Sequence, residues 1–160
     1  MDPQLDLPED FTSDYAELLT PDESARAARF YFERHQNRYV VGRGVLRTLL
    51  GAYLHLAPES VRFAYGPQGK PELSHNFASS DLCFNLAHSE GLGLLAVTRA
   101  ASLGVDVERV RRLPEFDELV NRFFSPREAD LFAKLPATEK PQAFFNLWTR
   151  KEAWLKFTTL

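Results

Sequence analysis

Apolar and polar positions along the chain recur in two different periods, and the change of period separates a helical start, a stranded middle and a helical end. Thr20-Pro21-Asp22-Glu23 opens a helix through about Phe32: Thr is an N-cap, Pro fits the first helical position, and the acids complement the N-terminal dipole. A second helix is predicted from about Asn37 to Leu54. Its buried line is Val41, Val45, Leu49 and Tyr53, with Arg38, Arg43 and Arg47 elsewhere on its circumference. Gly42 and Gly44 weaken it, so another element approaches closely there or the helix depends on tertiary packing. Residues 61–65 alternate as a half-buried strand, 66–69 form a turn, and 81–87 and 92–98 are apolar runs joined by His88-Ser89-Glu90-Gly91 as a strand pair. Leu103-Gly104-Val105-Asp106-Val107-Glu108 reads as a further strand. Helical period then returns around 114–124. Ser125-Pro126-Arg127-Glu128 forms a capping box for a helix to about Leu135, and a last helix opens between Thr138 and Pro141 and continues through Lys156. The acidic, proline-punctuated first 20 residues are expected to be at best a short irregular lead-in. Helices, then strands, then helices give an α+β fold with helices packed on a small mixed or antiparallel sheet.

Composition narrows the class. A chain of 160 residues, 44% hydrophobic, buries one sizeable core and is long enough for one domain or two small halves. No apolar run reaches membrane-spanning length and the N-terminus lacks the basic flank of a signal peptide, so a cytoplasmic protein without membrane contact is expected. The single Cys83 excludes an internal disulfide and is expected to be a buried small hydrophobe. A net charge of −3 argues against nucleic acid as partner, yet arginines crowd residues 26–47 and 109–112, a pattern suited to phosphate groups.

Two stretches carry candidate chemistry. On a strand, Asp106 and Glu108 stand at i and i+2 and leave one face together, a place for a hard cation. On the last helix, Phe144, Trp148, Glu152 and Lys156 follow at i, i+4 spacing, so a carboxylate and an ammonium share a face beside aromatic bulk. Each has a plainer reading when taken singly: the solvated face of an edge strand for Asp106 and Glu108, and an ordinary surface pair worth about 0.2–0.5 kcal/mol for Glu152 and Lys156.

These two stretches, with Phe84-Asn85-Leu86-Ala87-His88-Ser89, resemble in order the motifs of the 4′-phosphopantetheinyl transferases of the surfactin-synthetase type: an F-N-x-(S/A)-H-S turn, a G-(V/I)-D-(V/I)-E strand and a W-x-x-K-E-x-x-x-K helix. The resemblance spans about Thr20 to Lys156. It implies a fold of two similar α+β halves with the site between them, here an N-terminal half over 1–103 and the start of a C-terminal half over 104–160. The second half would be incomplete, and the family's first strand vestigial in residues 4–7.

The implied activity is magnesium-dependent transfer of 4′-phosphopantetheine from coenzyme A to a serine of an apo acyl or peptidyl carrier protein, releasing 3′,5′-ADP. Asp106, Glu108 and Glu152 would hold Mg2+, and Glu152 would be ligand, general base, or both. Lys156 would stabilise the leaving phosphate. Arg38, Lys70 in Gly69-Lys70-Pro71, and His88 would bind coenzyme A, with Arg26 and Arg29 corresponding more loosely. Ala87 stands where the family often has Ser, so a hydroxyl contact to the cofactor is lost. The alternative is a truncated, inactive relative that only binds coenzyme A or a carrier protein, and self-association through the incomplete half is a further expectation.

Overall fold

The computed structural model describes residues 9–66 and 69–158. Three helices come first: α1 (Glu9–Ala16), α2 (Pro21–Ala27) and α3 (Glu33–Leu54). Two short strands follow, β1 (Phe63–Tyr65) and β2 (Pro71–Leu73), and then a longer hairpin, β3 (Leu82–Ser89) and β4 (Leu92–Arg99). The chain ends in α4 (Phe116–Phe123), α5 (Pro126–Ala133) and α6 (Lys140–Thr158). Both strand pairs are antiparallel, so the architecture is α+β with helices on small antiparallel sheets. No described helix is long and apolar enough to cross a membrane.

The hairpin is the centre of the arrangement. Phe84 pairs with Val97, Leu86 with Leu95 and His88 with Gly93, so these residues share one face; Asn85, Ala87 and Ser89 share the other. The first face packs on Leu46 and Leu50 of α3 together with Val61, forming one core. A second core is aromatic and helical: Phe116, Phe124, Phe132, Phe144 and Phe145 join α4, α5 and α6, with Phe144 stacked on both Phe124 and Trp148.

The structure corrects several expectations. Part of the expected lead-in is helical, because α1 packs on α3 where Gly44 leaves room: a Cβ there would lie 2.5 Å from the Tyr15 ring. The vestigial strand at 4–7 lies outside the described residues. Helix α2 stops at Ala27 and α3 begins at Glu33, earlier than the pattern predicts. The buried side of α3 holds Val40, Val41, Leu46 and Leu50, whereas Tyr53 is exposed. Arg47 is 1% exposed rather than peripheral, since Glu23 and the carbonyls of Pro58 and Val61 satisfy its guanidinium. Cys83 is half-buried. Residues 103–108 form no ladder and are not an assigned strand. Their backbone meets β3 through side chains instead: Val105 N donates to Asn85 Oδ1 at 2.9 Å and Arg109 N to Ser89 Oγ at 3.1 Å. Because Asn85 and Ser89 are four residues apart on β3 and their partners Val105 and Arg109 are four apart in the same direction, the segment runs alongside β3 through side-chain bonds without joining its ladder.

Candidate active site

The segment over 103–109 is pinned between β3 and α6. A Cβ on Gly104 would fall 1.9 Å from the carbonyl oxygen of Ala153 and 2.6 Å from Phe157 N, so only glycine lets the two backbones approach this closely. That contact sets Asp106 against α6. Lys156 Nζ donates to Asp106 Oδ1 at 2.6 Å and to Val105 O at 3.2 Å, and Lys70 Nζ donates to Lys156 O at 3.0 Å. Asp106 is nearly enclosed, with 9% of its side chain exposed, and its second oxygen, Oδ2, is buried without a hydrogen-bond partner. Glu152 lies one turn before Lys156 on the same side of α6. Two residues beyond Asp106, Glu108 Oε2 accepts from Ser89 Oγ at 3.0 Å, and Arg109 pairs with Glu90 at 2.6 Å. The tip of the hairpin therefore clamps this end of the segment.

On the other face of the hairpin, α3 and the 69–71 turn enclose a cleft of about 860 Å³. Five arginines line it (Arg26, Arg34, Arg38, Arg43 and Arg109) together with His35 and His88. Glu90, paired with Arg109, is the one carboxylate among the described lining residues. Phe30, Tyr39, Leu86 and Leu95 supply apolar wall. A cleft of this size and charge suits a ligand with a flat apolar part and several phosphates. Below it, burial raises the Tyr65 hydroxyl above its usual range despite the nearby Arg43 guanidinium, so the phenol stays neutral.

Comparison with known proteins identifies the family. The N-terminal pattern of 4′-phosphopantetheinyl transferases matches residues 8–100, and the pattern of the 4′-phosphopantetheinyl transferase superfamily matches residues 102–160. The chain belongs to the 4′-phosphopantetheinyl transferase superfamily. It is 47% identical over 154 residues to the 4′-phosphopantetheinyl transferase HetI of Nostoc sp., covering 96% of this chain and 65% of that protein. It is 28% identical over 143 residues to Sfp of Bacillus subtilis, covering 89% and 61%. Against AcpT of Salmonella typhimurium the identity is 39% over 111 residues, covering 69% and 54%. The chain thus spans between about half and two thirds of the length of these transferases.

Within this family frame the structure sorts the predicted residues. Asp106 and Lys156 meet directly. Glu108, two residues beyond Asp106, is turned to Ser89, and among the described residues no three His, Cys, Asp or Glu side chains stand as a group able to hold a metal ion. Arg26, Arg38 and His88 line the cleft. Arg29 lies instead beside a shallower depression with Asp22 and Phe30. Lys70 is not among the cleft-lining residues and spends a hydrogen bond on the C-terminal turn of α6, while its neighbours Gly69 and Pro71 form the wall. Sequence reading singled out neither Arg34 and His35 nor Arg109. Their signal was present in the arginine density of 26–47 and 109–112, but no spacing rule assigned it to one cavity.

Proposed function

We propose that this chain carries the coenzyme A site and the reacting carboxylates of a magnesium-dependent transferase that moves 4′-phosphopantetheine onto a serine of an apo acyl or peptidyl carrier protein. The observation that carries the reading is the arginine-lined cleft ending, at the His88–Glu90 turn, beside the segment that holds Asp106. In this reaction the serine oxygen forms a bond to the phosphorus bearing the pantetheine, the bond from that phosphorus to the bridging oxygen breaks, and 3′,5′-ADP leaves. The hydroxyl proton passes to a base, and Glu152 is the proposed acceptor. Lys156 holds Asp106 and stands ready to neutralise the departing phosphate. Arg26, Arg38 and His88 are proposed to grip coenzyme A from the cleft, Lys70 to brace its wall, and Arg29 to add positive charge beyond its edge.

The buried, unpartnered Oδ2 of Asp106 fits a hard cation. Mg2+ keeps several waters and takes only one or two protein carboxylates beside substrate phosphates, so it does not require a closed trio. Asp106 would hold it, with Glu108 and Glu152 as further donors. When bound, it would neutralise charge on the pyrophosphate. We also propose the division into halves at 103/104, which is supported by two family patterns meeting between residues 100 and 102. Assignment to the surfactin-synthetase type rests on the F-N-L-A-H-S, G-V-D-V-E and W-T-R-K-E motifs, and a cytoplasmic location on the coenzyme A chemistry.

The test incubates the chain with coenzyme A, Mg2+ and an apo carrier protein and follows the carrier's mass. Mass gain is expected with the wild type and not with Asp106→Ala or with a carrier lacking its serine. Gain at an undiminished rate in Asp106→Ala would remove Asp106 from the reaction. Coenzyme A binding without any gain in mass would restrict this chain to binding.

A further inference from the structure

Side chains of β3 take the place of a ladder for the segment that carries Asp106. Among the described residues no backbone carbonyl accepts from an amide of residues 103–109. Two of those amides are held by side-chain oxygens instead, Val105 N by Asn85 Oδ1 at 2.9 Å and Arg109 N by Ser89 Oγ at 3.1 Å. The two bonds differ in setting. Ser89 stands at the end of the hairpin, where its bond to Arg109 is open to solvent and its hydroxyl proton is committed to Glu108 Oε2 at 3.0 Å. Asn85 stands in mid-strand and is 3% exposed, on the side of β3 away from the cleft-lining Leu86 and His88. A buried amide is costly unless it is bonded, and the next position on that side, Ala87, is apolar and buried. The hairpin itself therefore has no need of an amide here. Among the described residues the side chain of Asn85 is bonded to Val105 N, which requires an acceptor and so fixes the oxygen of the amide toward the segment.

The consequence falls on the next residue along the segment. Val105 is held through its amide by Asn85 and through its carbonyl by Lys156 Nζ at 3.2 Å, and the same ammonium holds Asp106 Oδ1 at 2.6 Å. Val105 is thus gripped from β3 on one side and from α6 on the other, and Gly104 before it is pressed against the α6 backbone. What this leaves free is Asp106 Oδ2, buried and without a partner. Mg2+ demands near-ideal geometry of its donors, and groups that orient a ligand from behind change metal affinity as surely as the ligand does. On the basis of the proposed transferase reading, in which Asp106 holds the ion, we infer that Asn85 is a positioning residue: its amide oxygen fixes the backbone of Val105 and so sets the direction of Asp106 Oδ2, while Asn85 itself touches neither the ion nor the donor.

Amide hydrogen exchange of the 160-residue chain tests the bond, and Mn2+ binding tests its use; neither needs a transfer step. In the wild type the Val105 amide should exchange at least about tenfold more slowly than the amides of Asp106 and Val107, which have no acceptor among the described residues. Mn2+, followed by electron paramagnetic resonance, is titrated into the chain saturated with coenzyme A and into coenzyme A alone. Asn85→Leu, which keeps the volume and removes the acceptor, should weaken the protein-dependent Mn2+ binding by roughly three- to tenfold, the scale of one neutral hydrogen bond, and leave coenzyme A affinity without metal within about twofold. Asn85→Asp keeps an acceptor oxygen in the same place and should bind Mn2+ no more than about twofold more weakly than wild type. Equal losses of Mn2+ and coenzyme A binding in Asn85→Leu would mean a damaged hairpin and overturn the assignment, as would equal Mn2+ losses in the two variants. If Asn85→Leu does not fold, an unprotected Val105 amide in the wild type, or weakened Mn2+ binding in Asn85→Asp, overturns it. A wild type whose Val105 amide is protected but which adds no Mn2+ binding to that of coenzyme A alone would instead overturn the magnesium reading of Asp106.

Discussion

At the scale of single residues, Gly104 does most to place the chemistry. Its missing side chain lets the segment of Asp106 press on α6, and the nearest atoms to an added Cβ are backbone, which cannot swing aside. Gly104→Ala is therefore expected to cost about 1–3 kcal/mol in urea unfolding, the usual scale of overpacking, and to part Lys156 from Asp106. Gly66→Ala is the control, since its Cβ would meet only Glu72 Oε1 at 3.9 Å, and it should stay within about 0.5 kcal/mol of wild type. Equal midpoints for the two variants would show that α6 yields without consequence. The close approach at Gly44 was legible because glycine inside a helix violates propensity, whereas Gly104 sits in an irregular stretch where no propensity is violated. Arg47 was illegible for a different reason. Its burial depends on Glu23 and two carbonyls far away in sequence, and periodicity alone treats arginine as surface.

At the scale of elements, the rotation of α6 decides which of its motif residues face the segment. Lys151 is held by Glu128 at 2.8 Å, and Glu128 also closes the capping box at Ser125, so one carboxylate joins the start of α5 to the middle of α6. The hydrogen bond from Lys151, followed by those from Ser125, lowers the Glu128 carboxyl from 4.5 to about 2. A pKa lowered on folding gives stability that is fully present above the unfolded value and lost as pH falls toward the folded one. The deficit of Glu128→Gln relative to wild type is thus expected to hold steady above about pH 4.5 and to shrink between there and about pH 2. Both partners are partly exposed, so the effect is modest. Urea unfolding at several pH values reads it, and a deficit independent of pH would mean that Glu128 acts only as a cap. Such caps are local and were legible from four consecutive residues. The state of 103–108 was not, because a strand is defined by its partner, and here β3 offers side-chain oxygens in place of a ladder edge.

At the scale of the whole molecule, the candidate site was legible as three motifs in order, and their meeting was not, since it depends on one hairpin dividing the space. One of its faces builds the arginine cleft with α3, and the other carries the segment that α6 holds. The same arrangement leaves part of α6 uncovered. Trp154, Leu155 and Phe157 are 65, 55 and 40% exposed, and the Trp154 and Phe157 rings lie 5.4 Å apart. Scattered apolar side chains on a surface are ordinary, but a contiguous aromatic patch of this kind is a site of association. Burying each such side chain is worth about 1.5–3 kcal/mol, enough for several together to offset part of the entropy of association. We therefore predict that the 160-residue chain self-associates through α6 as its concentration rises, visible as a concentration-dependent mass in sedimentation and a blue shift of Trp154 emission. Trp154→Lys, at an exposed position away from Gly104 and Lys156, should return the chain to monomer without lowering its melting temperature. A wild-type chain that stays monomeric, with its emission unchanged across the concentration range, would show that this patch remains open to solvent.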